Sequence, residues 1–178
     1  MEVILLSGYR PHPIGTKKLE NGEVWLDYQI RLLQEMGLTP VVVLSGRHAD
    51  ETLRVARHLE SCELVFDTNE NQSTLYTNLR AGLKVTSEAC FALPIEVPTP
   101  SQDHWHQLKG ELLNVGLRTA HHVIHMPPHE GAVWHYGFPL LVTAFGNQMI
   151  QKMEDGTGLT DERIRYHRLT TVELATPA

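Results

Sequence analysis

MEVILLSGYRPHPIGTKK, residues 1–18, is the stretch on which the reading of the fold turns. Val3, Ile4, Leu5 and Leu6 form an apolar run with β-branched members, and Ser7 and Gly8 break it at once. That is the pattern of a buried strand reaching the end of a sheet. Gly8, Pro11, Pro13 and Gly15 oppose regular structure, so a long turn is expected, closed by the basic pair Lys17 and Lys18. Backbone N–H groups freed by such a turn, with lysines at its far end, make a cradle for an anion, and the phosphates of a nucleotide are the natural candidate. Strand, glycine and loop are also how any α/β domain begins, so that plainer reading stands beside the first.

Working outward, residues 23–36 (EVWLDYQIRLLQEM) place Val24, Tyr28, Ile30, Leu32, Leu33 and Met36 near helical spacing, and Gly37 follows as a C-cap would. Residues 39–45 (TPVVVLS) are a continuous apolar run, the mark of a strand covered on both faces. A helix is expected over 49–59 and a short strand over 63–66. Strand, helix, strand, helix, strand in this order implies right-handed crossovers and a parallel sheet with helices on both sides. Residues 67–74 (DTNENQST) are polar and loop-like, and they run into a helix over 75–83 (LYTNLRAGL). Residues 89–96 (ACFALPIE) read as the central strand, with Glu96 at its carboxyl end, the edge at which open α/β sheets bind ligands. Next come a helix over 101–115, with Ser101 as N-cap and Gly116 as stop, and strand character from His121 to His125. An apolar stretch over 134–142, a helix over 143–153 and a last strand over 164–173 complete the chain.

The 178 residues suffice for one substantial core and are too few for two, so a single domain over 1–178 is expected. A hydrophobic fraction of 42% and a charged fraction of 20% suit a soluble globular chain. No apolar stretch is long enough to span a bilayer and an acid stands at position 2 in place of a basic leader, so no membrane partner and a cytoplasmic location are expected. Cys62 and Cys90 lack metal-ligand spacing and read as free structural thiols. A formal charge of −6 without a basic run argues against nucleic acid as partner, while a small anion needs only a local positive pocket. Eleven histidines, seven of them from His104 to His135, raise a transition-metal site built from His121, His125, His129 and His135. Against it, Pro127 and Pro128 break any helix that would stack His125 over His129.

The run from Leu6 to Lys18 resembles, in register from end to end, the signature L-[AS]-G-G-x-S-x-R-M-G-x-x-K of the MobA-like nucleotidyltransferases. Leu6, Ser7, Gly8, Gly15 and Lys18 agree, and Ile14 stands for the methionine. Tyr9, Pro11 and Pro13 replace the second glycine, the serine and the arginine. Asn78-Leu79-Arg80-Ala81-Gly82-Leu83 is similar to the family's S-L-R-A-G-L, and Glu96-Val97-Pro98 to its D-x-P. Gly137-Phe138-Pro139 is similar to the G-H-P of the cytidylyl branch, and Glu173-Leu174-Ala175-Thr176-Pro177 to the closing D-[IV]-D-T-P, with Ala175 in place of the second aspartate.

This resemblance implies a three-layer α/β/α fold with a mostly parallel sheet, of the nucleotide-diphospho-sugar transferase (GT-A, Rossmann-like) type. It also implies transfer of a nucleotidyl group from CTP or GTP to a small phosphorylated acceptor such as molybdopterin, with Mg²⁺ and release of pyrophosphate. Ser7, Gly8, Tyr9, Arg10, Gly15, Lys18, Asn78 and Arg80 would then hold the nucleotide. Lys18 and Glu96 would be catalytic, with Glu96 the Mg²⁺ ligand and Glu173 a second carboxylate only by a shift of the chain. Arg10, Lys17 or Arg80 could supply the cation missing at Pro13. The alternative is a non-catalytic relative that keeps the fold and pocket for binding or regulation, because Pro13 and Ala175 remove charges of the kind that stabilise a transition state. Glu96 would then only stop its strand, and Arg80 would be a solvated surface charge.

Overall fold

A computed structural model of the chain describes residues 1–8, 14–69, 72–86, 88–115, 121–125, 139–152 and 170–173. The opening apolar run is a buried strand, β1 (Glu2–Leu6), with β2 (Thr39–Ser45) parallel on one side. β3 (Glu63–Asp67) extends the sheet beyond β2, also parallel, and β4 (Cys90–Pro94) lies parallel on the other side of β1. The sheet continues from β4 through β6 (Leu140–Val142) and β5 (His121–His125) to β7 (Thr170–Glu173), in the order β3-β2-β1-β4-β6-β5-β7. β6 is antiparallel to both neighbours and β7 is parallel to β5, so among the described strands β6 alone runs against the other six. The expected central strand is the fourth of seven.

The two-residue period of the strands sorts their side chains into two cores. Val3, Leu5, Val42, Leu44, Phe91 and Leu93 pack on the face covered by α1 (Trp25–Glu35), α2 (Gly46–Val55) and α4 (Gln102–Val115). Ile4, Leu6, Val41, Val43, Cys90 and Ala92 pack on the other, under α3 (Leu75–Leu83) and α5 (Ala144–Lys152). The result is a three-layer α/β/α sandwich with a mostly parallel sheet. Helix α1 ends where expected: Gly37 N–H reaches Gln34 O and Leu38 N–H reaches Leu33 O, the paired bonds of a Schellman motif.

One helix is displaced from its expected place. α2 starts directly at Gly46, without a loop, and stops at Val55, with a separate 3₁₀ turn over His58–Ser61. The cause is Asp27, buried in the first turn of α1, whose carboxylate accepts the N–H groups of Arg57 (2.9 and 3.0 Å) and His58 (2.8 Å). A charged acceptor outbids the backbone carbonyls that a continued helix would offer those two groups. The last expected strand is described only over Thr170–Glu173, and Gly116, Gly137 and Phe138 lie outside the described residues.

Gly82 shows how closely α3 presses on the sheet. A Cβ there would stand 2.4 Å from Ile4 Cγ2 and 3.0 Å from Val43 Cγ2, both on buried strands that cannot retreat. Gly110, mid-helix in α4, has nothing within 4 Å of the same position. Gly→Ala in a helix otherwise gains up to about 1 kcal/mol, whereas overpacking a core costs about 1–3 kcal/mol. Gly82→Ala is therefore expected to lower stability to urea unfolding and Gly110→Ala to raise it, and equal effects of the two would remove the packing argument.

Candidate functional site

The carboxyl ends of β1, β3 and β4 lie along one edge of the sheet, and a buried polar chain ties the first two together. Gly8 N–H donates to Asn78 Oδ1 (2.9 Å), and Asn78 Nδ2 donates to Asp67 Oδ2 (2.7 Å). Asp67 also accepts from Thr77 Oγ1 (2.6 Å), Ser73 Oγ (3.1 Å) and both the N–H and the amide of Asn69 (3.0 and 2.9 Å). Thr77 is itself the reciprocal partner of Thr74 in the capping box that starts α3. Burial alone would push the Asp67 carboxyl up, but the bonds from Thr77, Asn69 and Asn78 outweigh it and hold the group below the usual carboxylate range. Gly8 fits because it lacks a side chain: a Cβ would lie 2.4 Å from Ser45 N and 2.8 Å from the Leu44 carbonyl carbon.

The returning half of the first loop docks against β4. Its 3₁₀ turn, Ile14–Thr16, buries Gly15 with its Cβ position 3.4 Å from Ser7 Oγ and 3.5 Å from Ile95 Cγ1. Ile95 and Glu96 form the turn that leaves β4, closed by Val97 N–H on Pro94 O (3.0 Å). From α1, Trp25 Nε1 donates to Ile95 O (2.6 Å), and Gln29 Nε2 to Val97 O (2.7 Å) and, at 3.5 Å, to Ile95 O. Gln29 Oε1 in turn accepts from the Thr99 N–H (2.9 Å) and the Thr99 hydroxyl. Glu96, partly buried, thus stands on a turn fixed from both sides, one residue from the contact with Gly15.

Lys18 leads elsewhere. Asn21 and Gly22 reverse the chain so that Lys18 pairs with Val24, and both line a groove of about 420 Å³ with Arg54, Arg57 and His58. Two carboxylates share its walls, and both are committed. Asp27 is spent on the backbone N–H groups of Arg57 and His58, and Glu23 meets Arg31 at 3.0 and 3.1 Å, a hydrogen bond that holds its carboxyl below the usual range. The groove therefore carries three cations, Lys18, Arg54 and Arg57, against two engaged carboxylates, a net positive lining that an anion could meet.

Of the residues singled out from sequence, Ser7, Gly8, Gly15 and Glu96 come together at the ends of β1 and β4. Asn78 lies beneath them, 0% exposed, with its amide engaged by Gly8 and Asp67. Arg80 faces α5, where its Nη2 donates to Gln151 O (2.9 Å) and its own carbonyl accepts from Gln151 Nε2 (3.0 Å). Tyr9 and Arg10 lie outside the described residues, as do His129 and His135. Glu173 ends β7, separated from β4 by β6 and β5, which at about 4.8 Å per strand puts roughly 14 Å between the two strands. Among the described residues no group of three or more His, Cys, Asp or Glu is arranged to hold a metal. Cys90 is buried, which pushes its thiol up to about 11, and half-buried Cys62 is also raised by burial. No described helix is long and apolar enough to cross a membrane.

Sequence reading missed Asp67, Trp25 and Gln29. The first was hidden in a stretch that looked like loop. The other two carried a usable signal, since residues 25 and 29 are one helical turn apart and share a face of α1.

No family model and no curated protein sequence matches the chain. Solved structures do. The Rv0371c protein of Mycobacterium tuberculosis, in complex with manganese, aligns with a TM-score of 0.68 at 14% identity over 97% of this chain and 87% of that one. A nucleotidyl transferase from Methanothermobacter thermautotrophicus aligns with a TM-score of 0.67 at 16% identity over 99% and 87%. The 4-diphosphocytidyl-2C-methyl-D-erythritol synthase of Anaerococcus prevotii aligns with a TM-score of 0.65 at 13% identity over 97% and 85%. The fold is the nucleotide-diphospho-sugar transferase type that these proteins share.

The lowered carboxyl at Asp67 makes a pH-dependent prediction. A group whose folded pKa lies below its unfolded value, about 3.9 for Asp, adds stability in full above that value and loses it as pH falls through the folded one. Asp67→Asn replaces an acceptor-only group with one that must turn an N–H toward a donor, at a cost of about 2–3 kcal/mol at pH 7. Denaturant unfolding of the two proteins from pH 7 to pH 2.5 is expected to show that gap closing below about pH 4. A gap that stays constant across the range would mean that Asp67 does not anchor this network.

Proposed function

We propose that the chain is a nucleotidyltransferase that moves a nucleotidyl group from a nucleoside triphosphate to a small phosphorylated acceptor. The observation that carries this reading is the packing of Gly15 against both Ser7 and Ile95, which sets the glycine-containing loop beside the acid-bearing turn at the ligand-binding edge of the sheet. The acceptor phosphate oxygen would attack the α-phosphorus, forming one P–O bond as the bond to the β-phosphate breaks and pyrophosphate leaves. Such chemistry asks the protein for positioning and charge neutralisation above all.

Glu96 supplies a hard oxygen donor of the kind that Mg²⁺ or Mn²⁺ takes, singly or in pairs, together with substrate phosphates. A manganese complex among the similar structures agrees with that donor chemistry. A bound divalent ion would neutralise charge on the phosphates. Lys18 would hold the phosphate tail, and, among the described residues, Arg54 and Arg57 across the same groove would replace the arginine expected at Pro13. Gly15, Ser7 and the first-loop backbone would line the nucleotide. CTP is the favoured donor, since one similar structure is a cytidylyl enzyme and the resemblance at Gly137-Phe138-Pro139 is to the cytidylyl branch. Molybdopterin or a related phosphorylated compound is the acceptor class that the first-loop signature suggests.

A second reading, a non-catalytic nucleotide binder, is favoured by one observation: the Gly8 N–H, a natural phosphate donor, is already given to Asn78. Pyrophosphate release from CTP, GTP and ATP with phosphorylated acceptors, in Mg²⁺ and in Mn²⁺, separates the two. Turnover is expected with CTP, falling about 10²–10³-fold in Glu96→Gln. Nucleotide affinity indifferent to the divalent ion, with no pyrophosphate from any pair, would leave the binder.

A further inference from the structure

We infer that Gln29, assisted by Trp25, is the positioning residue that sets where the Glu96 carboxylate stands, an inference that rests on the metal-holding role proposed for Glu96. Gln29 is 0% exposed, on a helix whose other buried side chains, Leu26, Ile30 and Leu33, belong to the apolar core. A primary amide in that setting is costly unless its donors and acceptor are satisfied, and an aliphatic side chain would pack there without that demand. Every hydrogen bond found for this amide goes to one five-residue segment, to Ile95 O, Val97 O and the N–H and hydroxyl of Thr99. The two carbonyls lie on either side of Glu96. Ile95 O belongs to the peptide group before Glu96, the Val97 N–H on Pro94 O (3.0 Å) holds the peptide group after it, and Val97 O belongs to the next one. The planar peptides that set φ and ψ at Glu96, and with them the direction in which its side chain leaves the backbone, are therefore held on both sides.

Trp25, one turn earlier on the same face, adds a second and shorter donor to Ile95 O, at 2.6 Å against 3.5 Å from Gln29. Nothing in the folding of α1 calls for this arrangement, since the helix has its own core contacts and its own Schellman end. What it secures is the placement of one carboxylate relative to the loop from which α1 departs. Divalent ions of the Mg²⁺ type demand near-ideal geometry, so groups that orient a ligand without touching the ion control its affinity.

The test is Mn²⁺ binding followed by electron paramagnetic resonance in the presence of a non-hydrolysable CTP analogue, on the full chain. Gln29→Met is expected to raise the Mn²⁺ dissociation constant about tenfold or more, and Trp25→Phe by a smaller factor, with metal-free affinity for the analogue unchanged. Glu96→Gln is expected to abolish specific Mn²⁺ binding. Trp25→Phe removes a single donor and leaves the ring stacked on Tyr28, so it carries the test if Gln29→Met does not fold. Loss of Mn²⁺ binding in Glu96→Gln, with wild-type affinity in the Gln29 and Trp25 variants, would overturn the positioning role and leave the proposed function standing. Unchanged Mn²⁺ binding in Glu96→Gln would overturn both.

Discussion

The close approach of Gly8 to the start of α2 is the constraint on which the ligand-facing edge of this protein depends. β1 exits directly over the junction of β2 and α2, so near that no side chain fits at residue 8. The backbone N–H exposed by that exit is not left to solvent; Asn78 takes it, and Asp67 takes Asn78. The end of β1 and, seventy residues on, the stretch from the end of β3 into α3 are locked by one carboxylate and one amide. Because Asp67 is charged and nearly fully buried, the network holds only while each of its partners stays in place, which makes the edge rigid at the point where the first loop departs.

On the other side of that loop the same work is done by α1. Its first turns hold the Ile95–Thr99 segment through Trp25 and Gln29, and its Asp27 holds the end of α2. One helix therefore sets the distance between the returning loop, the acid on the β4 turn and the cationic groove. Val24 lines that groove, and Trp25, the next residue, reaches the turn that carries Glu96.

Much of the fold was legible because buried strands and amphipathic helices write their periods directly into the chain. The alternation of Val3 and Leu5 against Ile4 and Leu6 fixes two faces and hence two helical layers. The reversed direction of β6 was not legible: Leu140, Leu141 and Val142 are buried from both sides, and a continuous apolar strand carries no mark of which way it runs. The end of α2 was misplaced because the group that stops it, Asp27, is thirty residues away. Of the candidate site, the loop and Glu96 could be read as a motif, whereas the network on Asp67 could not, and the clamp from Gln29 showed only as a polar residue one turn from Trp25. A polar residue on a helix reads as solvent-facing until the fold buries it.

The geometry also bears on what the missing charges mean. On the resemblance of the first loop, Pro13 stands where a forked cation would be expected, and a proline cannot take over that role. Arg80 cannot answer for it, since it points to α5 on the far face of the sheet from α1. Arg54 and Arg57 are on the near face and open to the groove that Lys18 lines. Both sit just where α2 ends, where cations are favoured by the helix dipole whether or not a ligand is present, so their charge costs the fold nothing to maintain. On the proposed function, a phosphate chain reaching from the Glu96 turn past Val24 and Trp25 would meet those three cations in place of one arginine in the loop. That arrangement exchanges one bidentate clamp for a broader positive field, which suits holding a polyanion more than orienting one oxygen. On the proposed function, the burden of orientation would then fall on Glu96, whose turn Trp25 and Gln29 hold.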